Sequence, residues 1–79
     1  MKKLLEYLVK EIVSKPRKVK VVEEEKDSTT HLLLSVDPED MGLIIGKNGR
    51  TISAIRSLVK TAATKAGKEV FLELKEDSE

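Results

Sequence analysis

Apolar residues return at three- and four-residue intervals at the start of the chain, at Leu4, Leu5, Leu8, Val9 and Ile12. That spacing lays one apolar stripe along a helix, so residues 2–14 are predicted to be an amphipathic helix stopped by Pro16. The period then changes. Over residues 17–25, Val19 and Val21 alternate with Lys18 and Lys20, and over 31–36, Leu32, Leu34 and Val36 alternate with His31, Leu33 and Ser35. A period of two is that of half-buried strands. The polar stretch Lys26-Asp27-Ser28-Thr29-Thr30 between them is short enough to close an antiparallel hairpin.

Asp37-Pro38-Glu39-Asp40 has the chemistry of a helix start: a capping carboxylate, a proline suited to the first position, and two acids that complement the positive end of the dipole. A short helix is expected to follow through Ile45 and to break at Gly46. After Gly49 a second helix is predicted from about Arg50 to Ala66, burying Ile52, Ile55, Leu58, Val59, Ala62 and Ala63, with Gly67 as its left-handed C-terminal cap. Residues 69–75 alternate Val70, Leu72 and Leu74 with Glu69, Phe71 and Glu73, a last half-buried strand. The predicted order is helix, strand, strand, helix, helix, strand.

Length limits what this can be. A chain of 79 residues buries only about 60% of its unfolded surface and supports one core, so residues 1–75 are read as a single domain and the acidic residues 76–79 as a disordered tail. With no cysteine and one histidine, thiolate metal sites and disulfides are excluded and no metal or cofactor is expected. No grouping of Ser, His and carboxylate suits nucleophilic catalysis, so the chain is read as a non-enzyme. Charges at Lys2, Lys3, Glu6, Lys10 and Glu11 interrupt any signal peptide or membrane span at the start, which places the expected location in the cytoplasm.

Charge changes the picture through its position. From Met41 to Lys68 lie six basic residues, Lys47, Arg50, Arg56, Lys60, Lys65 and Lys68, and no acid; against a whole-chain net charge of +1, the remainder carries a net −5. One segment is thus a candidate for binding anions.

That segment contains Ile44-Ile45-Gly46-Lys47-Asn48-Gly49-Arg50-Thr51-Ile52, a glycine-bounded turn leading into a basic helix. Glycines at both ends permit positive φ and remove the Cβ atoms that would hold a sugar-phosphate backbone away. Free N–H groups at the start of the following helix are expected to point into the gap and, with the dipole, to favour phosphate oxygens. Lys47 and Arg50 add charge there, Asn48 tolerates left-handed geometry, and Ile44, Ile45 and Ile52 are expected to hold the two helices together, one or more of them flooring a groove for bases. A nucleoside-triphosphate P-loop does not fit: Gly42 and Gly46 are separated by three residues rather than four, Asn48 stands where Ser or Thr would hold magnesium, and a helix precedes the loop. A helix-turn-helix DNA reader is disfavoured by the flanking strands.

The stretch resembles the I-G-x-x-G-x-x-I signature of KH domains, and the element order is similar to the type II, prokaryotic form. The small size and the Gly-Lys-Asn-Gly-Arg run most resemble the bacterial single-KH KhpA family. The resemblance implies an α+β fold, three helices on one face of a three-stranded sheet, and a clamp on about four nucleotides of single-stranded RNA. Carried over, the clamp is Gly46, Lys47, Asn48 and Gly49, with Ile45 and Ile52 beside the bases and Arg50 and Arg56 as flanking backbone contacts. It also implies an RNA chaperone or post-transcriptional regulator that forms dimers, with itself or with a larger KH-containing protein. An alternative is a protein-interaction module of KH shape whose RNA binding is weak or supplied by a partner: Phe71 and Leu33 should point to the outer side of the sheet, where large apolar groups suit contact with another protein.

Overall fold

The computed structural model describes residues 1–75; the four residues read as an acidic tail lie outside them. Helix α1 spans Lys2–Lys10, strand β1 Lys20–Lys26, β2 Thr29–Ser35, helix α2 Met41–Ile45, helix α3 Arg50–Lys65 and strand β3 Glu69–Leu74. Short 3₁₀ turns at Pro16–Lys18, Pro38–Asp40 and Lys47–Gly49 join them. The expected element order and α+β class are both present.

The sheet order is β1-β2-β3, with β1 antiparallel to β2 and β3 parallel to β2. A parallel neighbour needs a crossover, and α2 and α3 supply it. Alternation then decides which side chains enter the core. Val21, Leu32, Leu34, Val70 and Leu72 point inward and meet Leu5 and Val9 of α1, Ile44 of α2, and Ile55, Val59 and Ala63 of α3.

Three boundaries differ from the sequence expectation. The helix predicted over 2–14 ends at Lys10, with Ile12 and Val13 still folding back by bonding their amides to the Val9 carbonyl. The strand predicted from residue 17 begins at Lys20, because Pro16, whose φ is fixed by its ring, starts a 3₁₀ turn. The hairpin loop is only Asp27-Ser28, with φ of 51° and 67°; Lys26 and Thr29 are already paired. A two-residue turn with both φ values positive matches the twist of the strands it joins, and neither residue is the glycine that would advertise it.

Leu58, expected in the core, is 56% exposed. The buried stripe of α3 is Ile55, Val59 and Ala63, spaced by four, and Leu58 lies about 100° around the helix from Val59. It lines a shallow apolar groove with Leu4, Leu8 and Ala62.

At its other end α3 stops as expected at Gly67, whose φ is +75°. The Lys68 amide bonds back to the Ala63 carbonyl at 2.8 Å and the Gly67 amide to Thr64 at 3.0 Å. This Schellman pair satisfies carbonyls that the helix end would leave open.

Candidate nucleic-acid interface

The connection between α2 and α3 turns within four residues. Gly46 ends α2 with φ 77° and ψ 172°, Asn48 has φ 57° and ψ 27°, and Gly49 has φ 72° and ψ 15°. Three left-handed residues in four explain why this run is two glycines and an asparagine. Gly46 is constrained further: a Cβ there would lie 2.2 Å from Thr51 Oγ1 and 2.8 Å from the Thr51 backbone nitrogen. At Gly49 a Cβ would meet nothing within 4 Å, so that side of the turn is open to a ligand.

The expected row of free amides is shorter than the sequence suggests. The Gly49 N–H donates to the Gly46 carbonyl at 3.1 Å and the Arg50 N–H to the Lys47 carbonyl, closing a 3₁₀ turn. Those two donors are therefore occupied within the turn itself. The Lys47 and Arg50 side chains are exposed beside it.

The apolar residues divide by depth. Ile44 is fully buried and anchors α2 to the core, whereas Ile45 and Ile52 are half-buried. These two retain surface on which a base could rest. Arg56 lies elsewhere on α3, with Nε and Nη2 donating to the Leu72 carbonyl of β3 at 3.4 and 3.3 Å. β3 is an edge strand, so this carbonyl would otherwise face outward from the sheet. Arg56 thus ties α3 to the sheet edge. The six basic residues of the segment also separate: α3 rises about 24 Å over its length, and beyond its far end Lys68 is ion-paired to Glu25 at 3.2 Å.

Asp37 caps as expected, accepting the Glu39 amide at 2.9 Å. Asp40, read from sequence as a dipole-complementing acid, has a larger role. It is 1% exposed and accepts from the Ser14 hydroxyl at 2.7 Å, the Ser14 amide at 3.1 Å and the Lys15 amide at 3.1 Å. The Ser14 hydroxyl, helped by the two amides, holds the carboxyl below the usual carboxylate range despite burial. This latch fixes the segment after α1 against the start of α2, and α2 ends at the glycine turn. Nothing in the local sequence signals it, because the partners are 25 and 26 residues apart.

On the outer sheet face, Phe71 is 49% exposed and its ring stacks on His31 with centroids 5.4 Å apart. Leu33 is half-buried and Val22 exposed on the same face. Among the described residues there is no cluster of side chains suited to a metal ion, and no helix is long and apolar enough to cross a membrane.

Comparison with known proteins agrees with this architecture. The family model described as KhpA/KhpB, KH domain, matches residues 2–74. Proteins named RNA-binding protein KhpA are similar over nearly the whole chain. That of Clostridium perfringens is 47% identical over 74 residues, covering 94% of this chain and 99% of its own. That of Halalkalibacterium halodurans is 45% identical, covering 94% and 97%, and that of Aquifex aeolicus 40% identical, covering 96% of each. With its helix and strand order, its glycine-bounded turn and this match all in one chain, the protein belongs to the KhpA/KhpB KH-domain family.

Proposed function

We propose that this protein binds single-stranded RNA in the cytoplasm by clamping the sugar-phosphate backbone against Gly46-Lys47-Asn48-Gly49, without catalysis. The observation that carries this reading is the turn itself: left-handed at Gly46, Asn48 and Gly49, open at Gly49, and flanked by exposed Lys47 and Arg50. The naming of the relatives as RNA-binding proteins supports the nature of the ligand. Lys47 and Arg50 neutralise phosphates, and Ile45 and Ile52 offer apolar surface to bases. Arg56, two of whose five N–H donors are used on Leu72, holds the groove wall and offers the others to the strand. One tyrosine and one phenylalanine leave few stacking platforms, so affinity is modest, sequence preference weak and salt dependence clear.

The test is fluorescence anisotropy of labelled single-stranded RNA with the wild-type chain and a Lys47→Asp, Asn48→Asp variant at two salt concentrations, with circular dichroism confirming folding. A folded variant that loses binding supports the clamp. Equal binding by both proteins overturns it.

The chaperone or regulatory role, and action as a dimer with itself or with a larger KH-containing protein, extend this reading; the family's naming for both KhpA and KhpB supports a related partner. A second reading, a protein-contact module, is favoured by the exposed Phe71 and Val22, with half-buried Leu33 beside them, on the outer sheet face. Light scattering of Phe71→Glu separates it from the groove at Leu58: loss of self-association in Phe71→Glu assigns the sheet face, and an unchanged mass with loss in Leu58→Glu assigns the helical groove.

A further inference from the structure

A second group of basic residues lies outside the segment that contains the glycine turn. Arg17, Lys18 and Lys20 follow Pro16, and all three are exposed. Their surroundings leave the charge unmatched. Three acids at the base of this segment are already engaged: Asp37 caps Glu39 and lies 3.9 Å from Lys15, Glu39 is ion-paired to Lys15, and Asp40 accepts from Ser14 and Lys15. Among the described residues, no carboxylate lies within ion-pair distance of Arg17, Lys18 or Lys20.

These residues are also held in place. The Lys18 amide bonds the Lys15 carbonyl at 3.0 Å and the Val19 amide bonds Pro16 at 3.2 Å, so the segment is an ordered 3₁₀ turn. Its root is the Asp40 latch, and Asp40 immediately precedes α2, which leads to Gly46. Helix α2 rises about 9 Å from Asp40 to Gly46, and Arg17 is two residues, at most about 7 Å, beyond Lys15. With the 3.1 Å bond from Lys15 to Asp40 and the reach of that side chain, the two basic turns lie within about 25 Å of each other.

Strand register and α3 put them at the same end of the molecule: α3 runs about 24 Å from the glycine turn towards β3, whose first residue pairs with Thr29, so the turn lies towards the Ser35 end of β2. Lys20 pairs with Ser35, the last residue of β2 before the chain leaves for α2, whereas Glu23, Glu24 and Glu25 pair with Leu32, His31 and Thr30 towards the opposite end. β1 is therefore basic at the clamp end and acidic at the far end. A polyanion held at the clamp is drawn towards Arg17 and Lys18 and repelled from the far half of β1.

We infer that Arg17, Lys18 and Lys20 form a second phosphate-contacting site, which takes the backbone of an RNA strand as it continues beyond the nucleotides held by the glycine turn. The inference rests on the clamp reading and adds a footprint to it. The clamp with its flanking Arg56 accounts for about four nucleotides and three cationic side chains. With about 0.7 of a unit of salt slope per phosphate neutralised on a single strand, Lys47, Arg50 and Arg56 give a slope of log affinity against log salt of about −2.1, and the three further contacts steepen it to about −4.2 on a longer strand.

The experiment measures that slope by anisotropy with a short oligonucleotide of about four nucleotides and a longer one of roughly ten. The proteins are wild type, an Arg17→Ala, Lys18→Ala variant, the Lys47→Asp, Asn48→Asp variant, and Lys26→Ala as a charge control at the far end of β1. Circular dichroism checks that each is folded. The expected result is that Arg17→Ala, Lys18→Ala binds the short strand as wild type does, and on the long strand loses about 1.4 of slope while Lys26→Ala does not. An unchanged slope on the long strand, or an equal loss in Lys26→Ala, overturns the second site and leaves the clamp standing. Binding of the short strand that survives Lys47→Asp, Asn48→Asp overturns the clamp itself.

Discussion

Replacing Gly46 by alanine tests the reasoning about the turn most directly. Its φ of +77° with ψ of 172° lies in a region open essentially to glycine alone and costs an L-residue about 1–3 kcal/mol. The new Cβ would also lie 2.2, 2.7 and 2.8 Å from Oγ1, Cβ and the backbone nitrogen of Thr51. Relieving such overpacking typically costs a further 1–3 kcal/mol, and the stiffer unfolded chain returns about 0.4–1 kcal/mol. The net expectation is a loss of about 3 kcal/mol for Gly46→Ala. Gly49→Ala has φ of +72° and ψ of 15°, in the left-handed helical region, and open space, so it carries only a backbone strain of about 1–2 kcal/mol less the same unfolded-chain effect and loses about 1 kcal/mol. The difference of about 2 kcal/mol corresponds to roughly 8–16 °C in melting temperature for a domain of this size. With no tryptophan and one tyrosine, far-ultraviolet circular dichroism during urea and thermal unfolding is the suitable probe. Adding Thr51→Ala to Gly46→Ala should restore little, because the Cβ and the backbone nitrogen of residue 51 remain in place. Equal destabilisation by the two glycine variants, or full rescue by Thr51→Ala, would refute the claim that backbone crowding fixes glycine at 46.

Further expectations concern the latch, the sheet edge and the interface. Because the Asp40 carboxyl is depressed in the folded state, its contribution is present above the ordinary aspartate value of about 3.9 and is lost as pH falls through the folded value; urea midpoints measured from neutral to acid pH should fall less steeply in Asp40→Asn than in wild type. Arg56→Ala should cost about 1 kcal/mol by removing the donors to the Leu72 carbonyl, and in urea unfolding Arg56→Lys should not restore it fully, since a single ammonium cannot reproduce the guanidinium's paired donors. In RNA titrations at several salt concentrations, Lys47→Ala should weaken binding to unrelated sequences alike and reduce the salt slope by about 0.7; a change confined to one sequence would contradict a backbone contact.

Much of the fold was legible because each element's period matches its environment. The three- and four-residue spacing in α1, the four-residue spacing of Ile55, Val59 and Ala63, and the alternation in β2 and β3 each require one apolar face, and the core collects those faces. The glycine turn was legible for a different reason: left-handed φ is so costly for other residues that Gly46, Asn48 and Gly49 reveal backbone geometry directly. Leu58 escaped because composition gives the width of a helix stripe only loosely, and a residue at its flank is buried or exposed according to how closely the neighbouring α1 approaches.

The sequence by itself determined the order of elements, the one-core size, the left-handed turn and the basic character of the segment around it, since these depend on local conformational energies and on counting charges. Tertiary structure alone decided which charges act together. Lys68 is neutralised by Glu25 from 43 residues away, Arg56 is drawn to the edge of β3, and Lys15 draws off Glu39 and Asp37. It also decided that Arg17, Lys18 and Lys20 stand at the same end of the sheet as the glycine turn, through the register of β1 on β2 and the Asp40 latch. Electrostatic attraction falls with distance in space, so the partner of a charge is a property of the folded chain and cannot be read from its place along it.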